Sequence, residues 1–165
     1  MTGPSRDAAF ADAVGDLEYP MLVVTAAAGG RRAGCLVGFA AQCSISPPRF
    51  MVWLSHRNHT LGVARETDRL GVHLLSSDDR ALAELFGSRC GEEVDKFARC
   101  RWREGPGGVP LLEDCPRWFV GRVLERFDAG DHDGFLLEPA EAGTGPWSGQ
   151  LGFQEIRDLT PGHDA

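Results

Sequence analysis

The chain has 165 residues, of which 42% are hydrophobic and 25% charged, and its formal net charge at pH 7 is −7. These values are typical of a globular protein, and the length suits a single domain over residues 1–165. Nucleic-acid binding is not expected, because phosphate backbones are bound mainly by Lys and Arg. No apolar stretch approaches the roughly 20 residues that a helix needs to cross a bilayer, so no membrane association is expected. The first seven residues, MTGPSRD, lack the apolar core of a signal peptide.

Five cysteines, an odd number without a CxxC pair, argue against a disulfide framework and against a zinc site. We expect free, buried thiols in a reducing compartment, and therefore a cytoplasmic location. The five are Cys35, Cys43, Cys90, Cys100 and Cys115.

The first third of the chain predicts one helix and three strands. Ser5 is expected to cap a helix that ends before Tyr19. Its apolar stripe is Ala9, Phe10, Ala13, Val14 and Leu17. Residues 21–25 predict a buried strand, and a turn at 26–32 leads into a glycine-rich strand. The double proline at 47–48 is expected to end strand pairing before a third strand at 50–54.

The rest of the chain predicts short helices between further strands. Thr60 is expected to cap a helix that ends at Arg65, and Ser77 a second helix that ends at Gly87. A polar loop containing Glu92, Glu93 and Asp95 follows. Strands are predicted at 70–75, 118–127 and 135–138, with turns at 105–108 and 130–134. Many short strands, few helices and frequent Gly/Pro turns predict a closed antiparallel barrel with helical decorations.

The glycine-rich stretch GCLVGFAAQCSISPP, residues 34–48, is the most informative part of the chain. Small residues leave the face of a strand bare, so a flat ligand can lie against the backbone. Gly38, Ala40 and Ala41 predict such a shelf, and Gln42 and Ser44 add side-chain hydrogen-bonding groups. The alternative is that Gly38 marks a bulge and Ser44 caps a turn.

The segment LSHRNHT, residues 54–60, concentrates hydrogen-bond donors. Ser55, Arg57, Asn58 and Thr60 together suit a phosphate group, although a solvated loop with an ordinary Thr cap has the same composition. The histidines of this segment lack a carboxylate or cysteine partner nearby, and no metal site is expected. The residues alone favour an exposed histidine without a role for His132, which lies between two aspartates in a turn.

Four features in this order resemble the flavin reductase family, whose fold is an FMN-binding split barrel. They are the glycine-rich strand with QCSISPP, the LSHRNHT segment, LAELF at 82–86 followed by DKF at 95–97, and GDH at 130–132. The resemblance implies a mainly β, antiparallel split β-barrel of Greek-key type, with FMN as cofactor, FAD as a possible substitute and NAD(P)H as co-substrate. It also implies a cofactor site made of Leu36, Val37, Gly38, Phe39, Gln42, Cys43, Ser44, Ser55, Arg57, Asn58, Thr60 and Lys96. His132 would be the catalytic residue beside the nicotinamide.

The chain departs from the family pattern at the glycine-rich strand. Many members carry hydroxyl or amide side chains at the positions of Leu36, Gly38 and Phe39. Contacts between those side chains and the flavin ring are therefore absent, and binding is expected to use backbone groups instead.

The resemblance implies an NAD(P)H:flavin oxidoreductase that passes a hydride from nicotinamide C4 to flavin N5. Such proteins serve as the small reductase component of two-component monooxygenases and form homodimers with the flavin near the subunit interface. The alternative is a protein that binds flavin or deazaflavin without nicotinamide turnover and acts as a carrier or redox sensor.

Overall fold

The computed structural model describes residues 3–88 and 94–162, so the predicted thiol Cys90 and the loop residues Glu92 and Glu93 lie outside the described residues. The described chain forms nine β-strands and four short α-helices. The strands are β1 Leu22–Ala28, β2 Arg31–Val37, β3 Ala40–Ile45, β4 Pro48–Ser55, β5 Arg69–Leu74, β6 Trp102–Glu104, β7 Pro110–Leu112, β8 Trp118–Asp128 and β9 His132–Gly143. The helices are α1 Arg6–Val14, α2 His59–Ala64, α3 Arg80–Gly87 and α4 Phe153–Ile156.

Seven strands form one antiparallel sheet in the order β2-β1-β5-β8-β9-β4-β3, and β6 and β7 form a separate hairpin. The predicted mainly β architecture with helical decorations is confirmed. Strand β1 is apolar except for Thr25 because both of its faces are buried. Leu22 and Val24 belong to the cluster inside the curled sheet, and Met21 and Val23 to a second cluster, which includes residues of α3 and the C-terminal segment.

The two edges of this sheet are brought together by the chain itself. Strand β2 forms one edge and β3 the other, yet only Gly38 and Phe39 separate them in sequence. Three Cα–Cα steps of about 3.8 Å allow at most about 11 Å between Val37 and Ala40, so the sheet must curl until its edges meet. No ladder joins β2 to β3 in the described chain. The closed barrel expected from the strand pattern is therefore wrong, and the split barrel implied by the resemblance is confirmed.

Several element ends differ from the prediction. The glycine-rich segment is two strands, not one, because the chain changes sheet edge at 38–39. The double proline does not end the pairing, since Pro48 is the first residue of β4 and lies opposite Ile45; the Ser46–Pro47 bond in the turn is cis.

The two central helix caps also differ from the prediction. Asn58 caps α2, because its side chain accepts the Thr60 N–H at 3.0 Å. Ser76, not Ser77, is the N-cap of a 3-10 turn, Ser77–Asp79, that leads into α3, and the Asp79 carboxylate accepts the Ser76 N–H at 2.7 Å. Helix α1 does begin after Ser5, but it contains no buried residue and Phe10 on its predicted apolar stripe is 67% exposed.

The four described cysteines are all free. Cys35 and Cys115 are buried and Cys100 is half-buried, but Cys43 is exposed on edge strand β3, so the expectation of buried thiols is wrong for Cys43. None of the helices in residues 3–88 and 94–162 is both long and apolar enough to span a bilayer.

Candidate functional site

A cavity of about 410 Å³ opens where the two sheet edges meet. Its floor is the last part of β2 and the following link, from Cys35 through Phe39. The end of β4, the segment around Tyr19, and Phe153 of α4 form its sides. The volume lies in the range of small-molecule sites, about 300–1,000 Å³. The predicted residues Leu36, Val37, Gly38 and Phe39 are thus brought together on one surface.

The backbone of the cavity floor is available for hydrogen bonding because β2 is an edge strand. It pairs with β1 on one side only, and an edge strand presents a row of backbone N–H and C=O groups without ladder partners. The Leu36 side chain packs against the core cluster that holds α3. Backbone groups can therefore replace the hydroxyl side chains that the sequence lacks.

Gly38 provides the bare surface on this floor. A Cβ added to Gly38 would approach the Met21 Sδ to 3.6 Å and Tyr19 Cβ to 3.9 Å, which are ordinary contacts with two other cavity-lining residues. No internal packing therefore requires glycine at this position. The space that a side chain would fill is part of the cavity, so a flat ligand can lie directly against the backbone there.

Gly34, earlier in the same strand, is small for a different reason. A Cβ there would lie 2.7 Å from the Phe86 ring of α3, so Gly34 allows close packing of the helix on the strand. Its carbonyl accepts a hydrogen bond of 3.1 Å from Lys96 Nζ, which also donates to the Phe86 carbonyl at 2.9 Å. Lys96 is only 6% exposed and lines a separate recess of about 40 Å³ that also contains Arg32 and His59. The structure thus places Lys96 apart from the main cavity.

The predicted phosphate turn lies at one end of the cavity. Ser55 and Asn58 line it. Arg57 is exposed in the same turn, and its N–H donates to Ser55 Oγ at 3.3 Å. Thr60 is buried under the floor, where its side chain hydrogen-bonds the Cys35 thiol. Burial raises the pKa of Cys35 to about 11, because the Thr60 hydrogen bond and the charge of Lys96 offset only part of it. Cys35 is accordingly a neutral thiol at pH 7.

A second cavity, also about 410 Å³, adjoins the first. Four residues line both cavities: Tyr19, Phe39, Trp53 and His132. The ring centroid of Phe39 lies 5.5 Å from that of Tyr19 and 5.3 Å from that of His132. These four residues therefore form an aromatic wall between the two cavities, and the wall includes His132 of the GDH motif.

His132 is oriented by its neighbour. Its Nδ1 lies 2.6 Å from Asp131 Oδ1, and this hydrogen bond lowers the pKa of Asp131. An ionised carboxylate only accepts hydrogen bonds, so Nδ1 carries a proton, and Nε2 is the ring nitrogen that does not face Asp131.

The other aspartate of the turn anchors the segment to β4 and α2. Asp133 Oδ1 lies 2.7 Å from His56 Nε2, and Oδ2 accepts from Arg65 Nη2 at 2.6 Å. Burial opposes ionisation of Asp133, but these two partners outweigh it and hold its pKa below the usual range. His56, Asp128 and Asp133 bring ligand-type atoms within 4.8 Å of one another, but the Arg65 guanidinium already balances the Asp133 charge. His56, Arg65 and Asp133 thus form an ion-pair network.

Gln42, Cys43 and Ser44 are not brought to the cavity. They lie on β3, where Gln42 Nε2 donates to the Ser44 carbonyl at 3.1 Å and Ser44 Oγ to the Pro47 carbonyl at 2.6 Å. The pairing of β3 with β4 shifts register between Gln42 and Ser44, which makes Cys43 a bulge residue. Their part in cofactor binding stays a prediction.

Residues 14–152, most of the chain, match the model of the flavin reductase like domain. The chain belongs to this family. Its relatives include the NADH:riboflavin 5'-phosphate oxidoreductase of Streptomyces pristinaespiralis, which is 34% identical over 155 residues, 88% of this chain and 86% of the relative. The FMN reductase (NADH) RutF of Enterobacter cloacae is 30% identical over 81% of this chain and 80% of its own. The 4-hydroxyphenylacetate 3-monooxygenase reductase component of Pseudomonas aeruginosa is 30% identical over 81% of this chain and 79% of its own.

The solved structures agree on the fold of this flavin reductase family member. A flavin reductase domain protein from Arthrobacter sp. FB24 superposes with a TM-score of 0.81 at 23% identity and covers 88% of this chain and 89% of its own. The predicted family, the split-barrel fold and the enzyme class of NAD(P)H:flavin oxidoreductase with FMN and a nicotinamide co-substrate are confirmed.

Sequence reasoning missed much of the flavin reductase cavity wall. Tyr19, Met21 and Phe153 come from segments without a motif. Trp53 is one of four tryptophans in the chain, and nothing in the sequence distinguishes it. The available signals were weak: Tyr19 is the only tyrosine in the chain, and it precedes a proline.

Proposed function

We propose that this protein reduces FMN with NADH and that the isoalloxazine ring lies in the first cavity, flat on the backbone of residues 35–38. The observation that carries the proposal is Gly38: the space beside it belongs to the cavity, and nothing in the packing of the protein accounts for a missing side chain there. The largely apolar lining, with Met21 and Leu54 among its members, suits a flat aromatic ring and excludes water.

The flavin phosphate is assigned to the turn at the end of β4. Ser55 and Asn58 reach the cavity, and the guanidinium of Arg57 supplies positive charge from the same turn. A guanidinium and two polar side chains together match the several acceptor oxygens of a phosphate. Asn58 already accepts the Thr60 N–H through its Oδ1, so its amide NH₂ is the group that would donate to phosphate. Thr60 is not assigned a direct contact with the phosphate; it acts through Asn58 and Cys35.

Bound FMN supplies the acceptor atom for the hydride from NADH, and the protein contributes alignment and exclusion of water. His132 is the residue assigned to the nicotinamide. With the Nδ1–H donated to Asp131, Nε2 is the atom that would hydrogen-bond the nicotinamide carboxamide and so orient that ring. Tyr19 and Trp53 of the aromatic wall provide the stacking surface.

We further propose a homodimer of single-domain chains that supplies reduced flavin to a partner monooxygenase in the cytoplasm. Exposed apolar side chains support the dimer: Phe153 at the first cavity is 37% exposed, and Ile45 of edge strand β3 is 85% exposed. The relative from Pseudomonas aeruginosa is itself a monooxygenase reductase component. The free state of the four described cysteines is consistent with a reducing compartment.

The test is a visible spectrum of the purified protein with FMN, followed under anaerobic conditions by NADH and then NADPH. We expect the oxidised-flavin absorbance to bleach faster than that of free FMN, with NADH as donor. A bound flavin that neither nucleotide bleaches would instead indicate a carrier, a sensor or a deazaflavin protein. Absence of flavin binding would contradict the assignment of the cavity.

A further inference from the structure

The aromatic wall between the two cavities contains one side chain that is suited to move. Phe39 is 50% exposed, whereas the other wall residues, Tyr19, Trp53 and His132, are half-buried or more. Its ring lies between the rings of Tyr19 and His132, in edge and tilted contacts at 5.5 and 5.3 Å.

The backbone of Phe39 is fixed while its side chain is not. Its carbonyl accepts a hydrogen bond of 2.9 Å from the Trp53 N–H, and β2 and β3 hold the chain on either side. Rotation about the Cα–Cβ bond therefore moves the ring alone and leaves the cavity floor in place. Aromatic side chains that are exposed change rotamer rapidly, in picoseconds to nanoseconds.

The position of this ring conflicts with the proposed reaction, on which the following inference rests. Two rings that exchange a hydride must lie in contact, about 3–3.5 Å apart. Phe39 lines both cavities and so lies at the boundary across which a flavin in the first and a nicotinamide in the second would have to meet. No space for a third ring exists between rings in such contact.

We propose that Phe39 is a movable partition: its ring covers the flavin cavity until the nicotinamide displaces it. Entry of the nicotinamide breaks the contacts of Phe39 with Tyr19 and His132, and this cost weakens the binding of NADH and of NAD⁺ alike. Phe39 thus sets nicotinamide affinity as a positioning residue and takes no part in the transfer itself.

The experiment compares Phe39→Ala with the wild type in two measurements. One is the KM for NADH, and the other, which needs no turnover, is the Kd of NAD⁺ for the FMN-loaded protein by isothermal titration calorimetry. An aromatic pair is worth a factor of about 2- to 12-fold in binding, so both constants are expected to fall by about that factor. Phe39→Leu should shift both in the same direction by less, and it provides the comparison where Phe39→Ala does not fold.

The matched control is Phe127→Ala. Phe127 is likewise an aromatic residue with substantial exposure, 43%, but it lies at the end of β8 and lines neither cavity. Both constants should equal those of the wild type. Unchanged or raised constants in the Phe39 variants would overturn the partition while leaving the proposed reductase intact. If the wild type fails to reduce FMN but NAD⁺ still binds more tightly to Phe39→Ala, the proposed function fails and the partition stands.

Discussion

Acidification between pH 6.5 and pH 4 should destabilise this protein through one buried histidine. His73 of β5 is fully buried. Its Nδ1 donates to the Val23 carbonyl at 3.1 Å, and its Nε2 accepts the Leu112 N–H at 3.0 Å. The ring thereby ties β7 to strands β5 and β1 of the sheet. Both partners are backbone groups held in place by their strands, so only the neutral imidazole can make both hydrogen bonds. Protonation would point an Nε2–H at the Leu112 N–H.

The magnitude follows from the change in pKa on folding. Burial lowers the pKa of His73 from 6.5 to about 4, partly offset by the hydrogen bond with the Val23 carbonyl. The stabilisation from keeping His73 neutral is therefore complete above pH 6.5 and is lost as the pH falls towards 4, since the unfolded chain binds the proton first. The linkage relation gives a loss of about 2 kcal/mol by pH 5 and about 3 kcal/mol by pH 4. The carboxylates with lowered pKa, Asp131, Asp133, Glu138 and Asp158, begin to lose their contribution as the pH falls towards their ordinary pKa values of 3.8 to 4.5, so the interval from pH 6.5 to 5 reports on His73.

The assay is urea unfolding of the flavin-free protein at intervals from pH 7.5 to pH 4, followed by far-ultraviolet circular dichroism. The variant His73→Gln should be less stable at pH 7.5 but lose the dependence on pH between 6.5 and 4.5. The control Leu75→Ala removes a buried side chain near the same strand end and should cost about 2–5 kcal/mol while keeping the pH dependence. A wild type whose free energy of unfolding stays constant from pH 6.5 to pH 4.5 would refute the reasoning.

Three further substitutions test the cavity and its surroundings. Gly38→Leu places γ-carbons in the cavity and should weaken FMN binding by about 1–3 kcal/mol in a fluorescence titration. The control Gly62→Ala, where a Cβ meets nothing within 4 Å, should leave the Kd of FMN unchanged and stabilise α2 by up to about 1 kcal/mol. Lys96→Met removes the donor from two carbonyls and should lower the free energy of unfolding by about 1–3 kcal/mol; a raised Kd of FMN in the folded variant would instead return Lys96 to the cofactor site. Arg57→Ala should weaken FMN binding by about 1.5–3 kcal/mol, the value of a charged hydrogen bond, and an unchanged Kd would exclude contact with the phosphate.

The structural features that depend on local sequence pattern are predicted well here. The apolar run of β1 and the alternating pattern of β8 correctly predict strands, because the side chains that face the core recur at a regular spacing along a strand. The caps were displaced by one or two residues because several adjacent Ser, Thr and Asn residues are each able to cap, and only the folded geometry selects Asn58 or Ser76. The aromatic wall depends on contacts between distant segments, such as Phe39 with His132, which no periodicity encodes.

The position of the cavity follows from the same two residues that keep the barrel split. A continuous ladder between β2 and β3 would use the backbone groups of both edges, and nothing would remain to bind a ring. Because the chain crosses between the edges at Gly38 and Phe39, the strands diverge there and the outer edge of β2 keeps its polar groups for a ligand. The residue without a side chain then provides the floor, and the adjacent phenyl ring provides the wall. Fold and site are in this respect one feature, which explains why the stretch at 34–48 was informative about both.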